Sequence, residues 1–446
     1  MTTSSPTVPD RRFVEGRGLL FACALALAGA LVFGGATRGD LPGALAQFSA
    51  LPLVAMTAAT LPRLLRGRRT LAVFLAGVVA LCVLQLAPLP AALWTALPGR
   101  APLVEALRTA GLEPGWFALS VAPFESWRAT QALLPALALF LGTLGCDSAQ
   151  RRILFALALA AALVTVLLQM AQIMEGPDSA LRFWRPTDTT VGVGAFANRN
   201  HTAALLYCAL PIAAALLAPA RARLGGTLAF GGVCLALLLG LAMTGSRAAL
   251  VLGAASLAAS LVLIRGERRR GRAGRWVDGR LWLSLAALGG LALLFAFGAG
   301  RILLRFLETD TGGGDRLSIA GVSLRTALGF FPFGAGFGTF ERVYPLYQQR
   351  ADIVPAIVNH AHDDFLELVI EAGVAGALAI VAGLALLARP FVRALRAHEA
   401  EGVAAGLVIT LLLAHSIVDY PLRMPAIAAL FALCAGALLA PQDGPS

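Results

Sequence analysis

Twelve stretches of about 17 to 25 mostly apolar residues, parted by short polar or arginine-bearing segments, leave this chain few ways to fold. A hydrocarbon layer about 30 Å thick is crossed by about 20 residues of helix, and a helix satisfies its own backbone where an open loop or sheet edge does not. The stretches run roughly from Leu19 to Ala36, Leu41 to Leu61, Thr70 to Leu89, Ala129 to Cys146, Ile153 to Met174 and Thr202 to Ala218. The other six are Gly226 to Thr244, Ala248 to Ile264, Leu281 to Ala299, Leu366 to Ala388, Gly402 to Val418 and Met424 to Ala440. The expected fold is therefore all-α: a polytopic integral membrane protein of about 12 transmembrane helices. Residues 1–18 form a cytoplasmic segment, 19–440 one bundle, and 441–446 a cytoplasmic tail. Hydrophobic residues make up 58% of the chain, well above the roughly 45–50% of soluble domains. Its 47 Gly and 24 Pro interrupt apolar runs without forming a repeat, which excludes a collagen-like or disordered chain.

Every basic residue is Arg, and the net charge of +11 sits on a chain only 14% charged, which is not the signature of a nucleic-acid binder. With both termini inside, 21 of the 36 arginines fall in cytoplasmic segments and 15 outside, while only 8 of the 25 acidic residues are inside. That asymmetry sets the orientation. The first span has basic residues before it and Gly34, Gly35 and Ala36 after it, as a signal peptide would, but its removal would reverse the arginine bias, so it is expected to be retained. The six cysteines lie in or at the ends of apolar stretches with no C-x-x-C pair, and neither disulfides nor zinc are expected.

Three outward segments exceed simple turns: Pro90 to Arg128, Glu175 to His201, and Gly300 to Phe365, the last being a large periplasmic loop between helices 9 and 10. Its Phe330 to Gly334 stretch is apolar but too short to span, and is expected on the membrane surface or against the bundle. Inside the spans ionisable groups are nearly absent, the polar exceptions being Gln169 and Gln172, whereas a transporter buries charge at mid-depth. Polar residues gather instead at outer helix ends: Arg182, Trp184, Asn198 to His201, Ser246, Arg247, Arg316, Arg325, Tyr344, Tyr347, His360 to Asp364, and His415, Asp419, Tyr420 and Arg423.

Arg247 reads either as an interfacial arginine snorkelling to headgroups or as an anion clamp, since a guanidinium at a helix N-terminus matches diphosphate oxygens. In Asn359 to Glu367, Asp364 followed by Glu367 reads as a helix start, with His362 just outside it. His362 is then an interfacial capping residue or a base that takes a hydroxyl proton; Asp363, Asp364 or Glu367 are alternative bases. A metal site at His360 and His362 is the weaker reading, because residues two apart converge only on a strand. Gly334 to Gly338 follows no strand and lacks a Lys-Ser/Thr partner, so it is a backbone turn and not a nucleotide loop. No Walker motif or Gly-x-Ser-x-Gly elbow is present.

In their order, Phe196 to His201, Gly245 to Leu250, Gly334 to Phe340 and Ala361 to Leu368 resemble the O-antigen ligase and polymerase superfamily, over about residues 130 to 440. The family often carries Asn where Asp363 stands, and the first 128 residues carry no recognised motif. The resemblance implies a GT-C-like membrane enzyme that transfers or polymerises a glycan from polyprenyl (undecaprenyl) diphosphate to an acceptor hydroxyl, as in lipopolysaccharide assembly. The resemblance also implies that the reaction takes place at the periplasmic face of the bacterial inner membrane, without nucleotide, metal or cofactor. Carried over by position, Arg247 holds the diphosphate and His362, with Asp363, serves the acceptor. Arg316 and Arg199 are further diphosphate contacts, and His201, His360, Asp364 and Glu367 further site candidates. The implied partners are the lipid-linked donor, a glycan, lipid A core or protein acceptor, and membrane lipid. A polysaccharide or lipid transporter, or a non-catalytic component of envelope glycan assembly, are the rival readings.

Overall fold

A computed structural model describes residues 11–36, 40–186, 188–217, 224–268, 311–353 and 357–441. Within them eleven of the twelve apolar stretches coincide with a helix. The twelfth, Leu281 to Ala299, lies outside the described residues, as do positions 300–310 of the long loop, the first ten residues and the last five. The helices are α1 (Arg11–Phe33), α2 (Asp40–Leu64), α3 (Arg69–Gln85), α4 (Ala91–Ala96), α5 (Ala101–Thr109), α6 (Pro123–Gly145), α7 (Ser148–Glu175), α8 (Arg199–Leu217), α9 (Leu224–Thr244) and α10 (Arg247–Arg268). They continue as α11 (Thr311–Phe330), α12 (Phe340–Val343), α13 (Asp364–Ala397), α14 (Ala400–His415) and α15 (Pro425–Leu439). The only strands among the described residues, Pro88–Leu89 and Phe117–Ala118, pair antiparallel with Pro88 opposite Ala118. Among the described residues six helices are long and apolar enough to cross a membrane, and four more are apolar but shorter.

Helix α8 runs through the middle. From His201 to Ala215 every residue is buried, as expected of a helix apolar on all sides, and α7, α9, α10 and α14 pack around it. Its Ala, Cys and Leu side chains let neighbouring backbones approach closely, the packing that joins helices where lipid removes the hydrophobic drive between them. The helix ends fall into two sets. At one end Arg151 pairs with Glu401 and donates to the Cys146 carbonyl at 2.8 Å, Arg152 donates to the Leu216 carbonyl at 2.9 Å and Arg68 to the Leu439 carbonyl at 2.7 Å. At the other end the outer segments fold onto the bundle.

There the expected irregular loop is in part a 20-residue helix, α11. Ile319, Val322, Phe330, Phe340, Val343, Tyr344 and Ile370 form a second apolar core between it, the following turns and α13. The first outer segment joins this roof: the Arg100 guanidinium is fully buried between the Trp94 and Phe330 rings, 5.5 and 5.3 Å from their centroids. Phe330 is thus packed inward, while Phe331 and Phe333 remain half exposed. The Gln169 and Gln172 amides hold the non-helical segment 176–198. Gln172 donates to the Gly194 carbonyl at 2.8 Å and accepts from the Val193 and Gly194 amides, and Gln169 donates to the Gly192 carbonyl at 2.9 Å. They supply the bonds that such backbone needs when it is buried in a bundle.

Helix α13 breaks at Gly373, whose φ of 56° and ψ of −137° are open to glycine alone. The break frees the carbonyls of Ile370 and Glu371, and the amides of Ala335 and Gly336 take them at 2.9 Å each, while the Val374 amide donates to Pro332. The glycine-rich turn is therefore a backbone plug seated in a helix break. A side chain at Gly373 would overlap the Pro332 carbonyl, and one at Gly334 would run into Glu371.

Candidate active site

Four of the five histidines in the chain, His201, His360, His362 and His415, meet at one end of the bundle around Asp419 and Tyr420. The loop between α14 and α15 carries that pair to the entrance of α13. Asp419 is 1% exposed and its carboxylate is the hub. One oxygen accepts from His362 Nδ1 at 3.2 Å and from the Tyr420 amide at 3.0 Å; the other accepts from Asn200 Nδ2 at 2.6 Å. Arg316 Nη2, on α11, and His415 Nε2 both stand 3.9 Å from that second oxygen. Burial works against the Asp419 charge, but the bond from His362 and the nearby His201, His362 and His415 outweigh it and hold the carboxyl well below its usual range.

His362 sits at φ 54°, in the left-handed region that non-glycine residues seldom occupy. It is a quarter exposed. Because the carboxylate can only accept, Nδ1 is the nitrogen that carries the proton in the neutral ring, which leaves the lone pair on Nε2. Its ring meets Tyr420 edge-on, centroids 5.0 Å apart, and His360 lies tilted over the same phenol at 4.2 Å. Burial and the Asp419 charge push the Tyr420 phenol up to about 12, so it donates and packs without ionising. His201 also meets Tyr420 edge-on, and both its ring nitrogens are buried without a hydrogen-bond partner. His415 passes inward from the hub to Tyr207, whose hydroxyl lies 2.9 Å from His415 Nδ1.

A second ionic cluster holds α13 beside the first. Arg423 lies 2.7 Å from Glu371, 3.5 Å from Glu367 and 3.7 Å from Asp364. Burial opposes its charge, but the three carboxylates prevail and its proton is held more tightly than in an ordinary arginine. Glu367 also accepts from His360 Nδ1 at 2.9 Å and from the Ala361 amide at 2.8 Å. Asp364 accepts from Ser416 Oγ at 2.7 Å and from the Leu422 amide at 3.1 Å. Glu371 corrects the expectation that the spans are almost free of ionisable groups: it lies in the stretch Leu366 to Ala388 and is fully buried. Asp364, Glu367 and Glu371 recur at three and four residues, one helical face, which is the signal in the sequence that marks a cation opposite.

The sequence-derived candidates divide accordingly. His362, His360, His201, Glu367 and Asp364 come together. Asp363 is the N-cap of α13, accepting from the Phe365 and Leu366 amides at 2.9 Å, which moves the helix start back from Asp364 and occupies one oxygen of the proposed catalytic carboxylate. Arg199 is paired with Asp188 at 3.0 Å. Arg316 is half exposed beside Asp419. Arg247 is partly exposed and opens α10 directly after Ser246, whose hydroxyl donates to Asn200 Oδ1 at 2.7 Å. A bonded line from Ser246 through Asn200 and Asp419 to His362 thus ties the start of α10 to the start of α13. Asp419, Tyr420 and Arg423 were legible as outer polar residues but not as the centre, and Tyr207 gave no signal. Among the described residues no group of three or more His, Cys, Asp or Glu is placed to hold a metal ion.

Residues 232–381 match the family model described as O-antigen ligase. Over those residues, a third of the chain, it is similar to the O-antigen ligase family. No curated protein matches the chain. The matched segment takes in Arg247, α11, the glycine-rich turn and the entrance of α13, but not Asn200, His201, Asp419, Tyr420 or Arg423. Much of the hub, Asp419 itself included, is therefore supplied by segments outside the matched residues.

Proposed function

We propose that the chain is a metal-independent glycosyltransferase that moves or polymerises a glycan from a polyprenyl-diphosphate carrier onto an acceptor hydroxyl, at the periplasmic face of the inner membrane. The observation that carries the reading is the Asp419-bound His362, at the same bundle end as Arg247 and Arg316 and beneath a folded roof. The match of residues 232–381 to the O-antigen ligase model supports the glycan-transfer class. In the proposed step His362 Nε2 takes the acceptor hydroxyl proton as the oxygen attacks the anomeric carbon. The bond from that carbon to the diphosphate oxygen breaks, and the carrier leaves as its diphosphate, its charge met by Arg247 and Arg316. Asp419 fixes the tautomer and offsets the imidazolium that forms, the part a carboxylate plays behind a catalytic histidine. Arg199, tied to Asp188, orders the segment before α8.

The test is complementation of a deletion strain. Replacing His362 or Arg247 separately by Ala should abolish surface glycan assembly at unchanged protein levels, and full activity in both variants would defeat the assignment. The deletion itself separates acceptors: core capped with single repeat units marks a polymerase, and long polymer left on its carrier marks a ligase. Reconstitution with a purified polyprenyl-diphosphate oligosaccharide checks the donor directly.

A further inference from the structure

At the end of the bundle opposite the histidines, Arg389, Arg393 and Arg396 are spaced four and three residues apart on one face of α13. With Ala388, Val392 and Ala397 they line a shallow cleft of about 610 Å³. All three are exposed, and none has a salt bridge or hydrogen bond among the described residues. Other arginines at this end are taken up by the protein: Arg68 by the Leu439 carbonyl, Arg151 by Glu401 and Arg152 by the Leu216 carbonyl. Arg63, Arg66 and Arg69 are exposed at the same end but do not line the cleft.

Depth says what can reach these guanidiniums. Arg389 follows Asp364 by 25 residues, about 37 Å of helix, which carries it just past a hydrocarbon core about 30 Å thick. Arg396 lies about 10 Å further along, so the three span the headgroup layer. Beneath them Leu378, Val381 and Leu384 of α13 are exposed where acyl chains lie. Three unpaired guanidiniums over that length exceed what one phosphodiester can engage, and each offers a planar fork that fits phosphate oxygens. We propose that this cleft is a binding site for a phospholipid with two phosphates, cardiolipin, in the leaflet opposite the histidine cluster. The site is independent of the chemistry at the other end.

The test uses the full chain, purified in detergent, and native mass spectrometry with equimolar cardiolipin, phosphatidylglycerol and phosphatidylcholine. Wild type should retain cardiolipin in preference to the other two. R389Q, R393Q and R396Q should each weaken that binding about fivefold, and the triple variant should lose the preference. Because the three side chains are exposed, the triple variant should melt as wild type does in lipid-free detergent, which separates lost binding from misfolding. The same-charge control, R63Q/R66Q/R69Q, should bind cardiolipin as wild type does. A preference that survives in the triple variant overturns the site, as does an equal loss in the control. Phosphatidylglycerol binding as tightly as cardiolipin, or a polyglutamate peptide displacing the lipid, overturns the choice of ligand.

Discussion

Asp419 gives the His362 imidazole a fixed tautomer and a counter-charge, and both depend on an ionised carboxylate that accepts at 3.2 Å. Asp419→Asn keeps the shape and removes the charge, so glycan transfer should fall on the order of 10³-fold with the protein still folded, measured in the reconstituted reaction. Its pH behaviour follows from a carboxyl held below the ordinary aspartate value of 3.8 in the folded state. Such a group contributes stability that is present above the unfolded pKa and is lost only as pH falls through the lower, folded one. The stability gap between wild type and Asp419→Asn should therefore not narrow from neutrality down to about pH 4 and should close below it, as melting in detergent at a series of pH values will report. Arg423 works beside it as the arginine that faces Asp364, Glu367 and Glu371, the last two 1% and 0% exposed. Arg423→Met strands three carboxylates and should cost about 3 kcal/mol or more, read as a lowered melting temperature and reduced yield. At this scale the sequence marked His362, His360 and Glu367 because they crowd one short segment. It did not single out Asp419, because its partners Asn200 and His362 stand 219 and 57 residues away.

Helix α13 and the turn from Pro332 to Gly338 depend on each other. The break at Gly373 exposes two carbonyls, and the turn is the donor set that satisfies them. Gly373→Ala would meet both a forbidden backbone conformation and the Pro332 carbonyl, so it should cost about 2 kcal/mol or more and unseat the turn beneath the roof. Gly383, in the unbroken part of the same helix, is the control. A Cβ there would meet only the Phe74 ring, at an ordinary 3.6 Å, so Gly383→Ala should stay within about 1 kcal/mol of wild type and on the stabilising side. Melting of the two variants side by side checks the pair, and equal effects would mean that the break is not held by glycine. The apolar stretches predicted helices because a bilayer demands them, and every one that falls in described residues is helical. Helix α11 escaped the same reading: its sequence opens on three glycines and an aspartate and carries two arginines. Its stability comes from Ile319, Val322 and Phe330 packing onto distant residues, which no local period announces.

For the whole molecule, composition foretold a membrane bundle, but not which helix ends meet. That depends on close contact between Ala- and Gly-rich surfaces of similar composition, which leave no partner code in the sequence. The fold does sort polar features by end: the hub of Asp419 and the four histidines lies at one, and the pairs of Arg151 with Glu401 and Arg68 with Leu439 at the other. The proposed reaction requires the first end to face the periplasm, and single cysteines can decide it. All six native cysteines are buried, so a membrane-impermeant maleimide has little to modify in wild type. Asp178 is exposed just beyond α7 at the histidine end, and Arg66 is exposed just beyond α2 at the opposite end. Asp178→Cys should react with the reagent admitted to the periplasm of intact cells, and Arg66→Cys only after the inner membrane is opened. The reverse pattern would turn His362 toward the cytoplasm, where a carrier-linked glycan already flipped outward could not reach it, and would remove the basis for glycan transfer at this site.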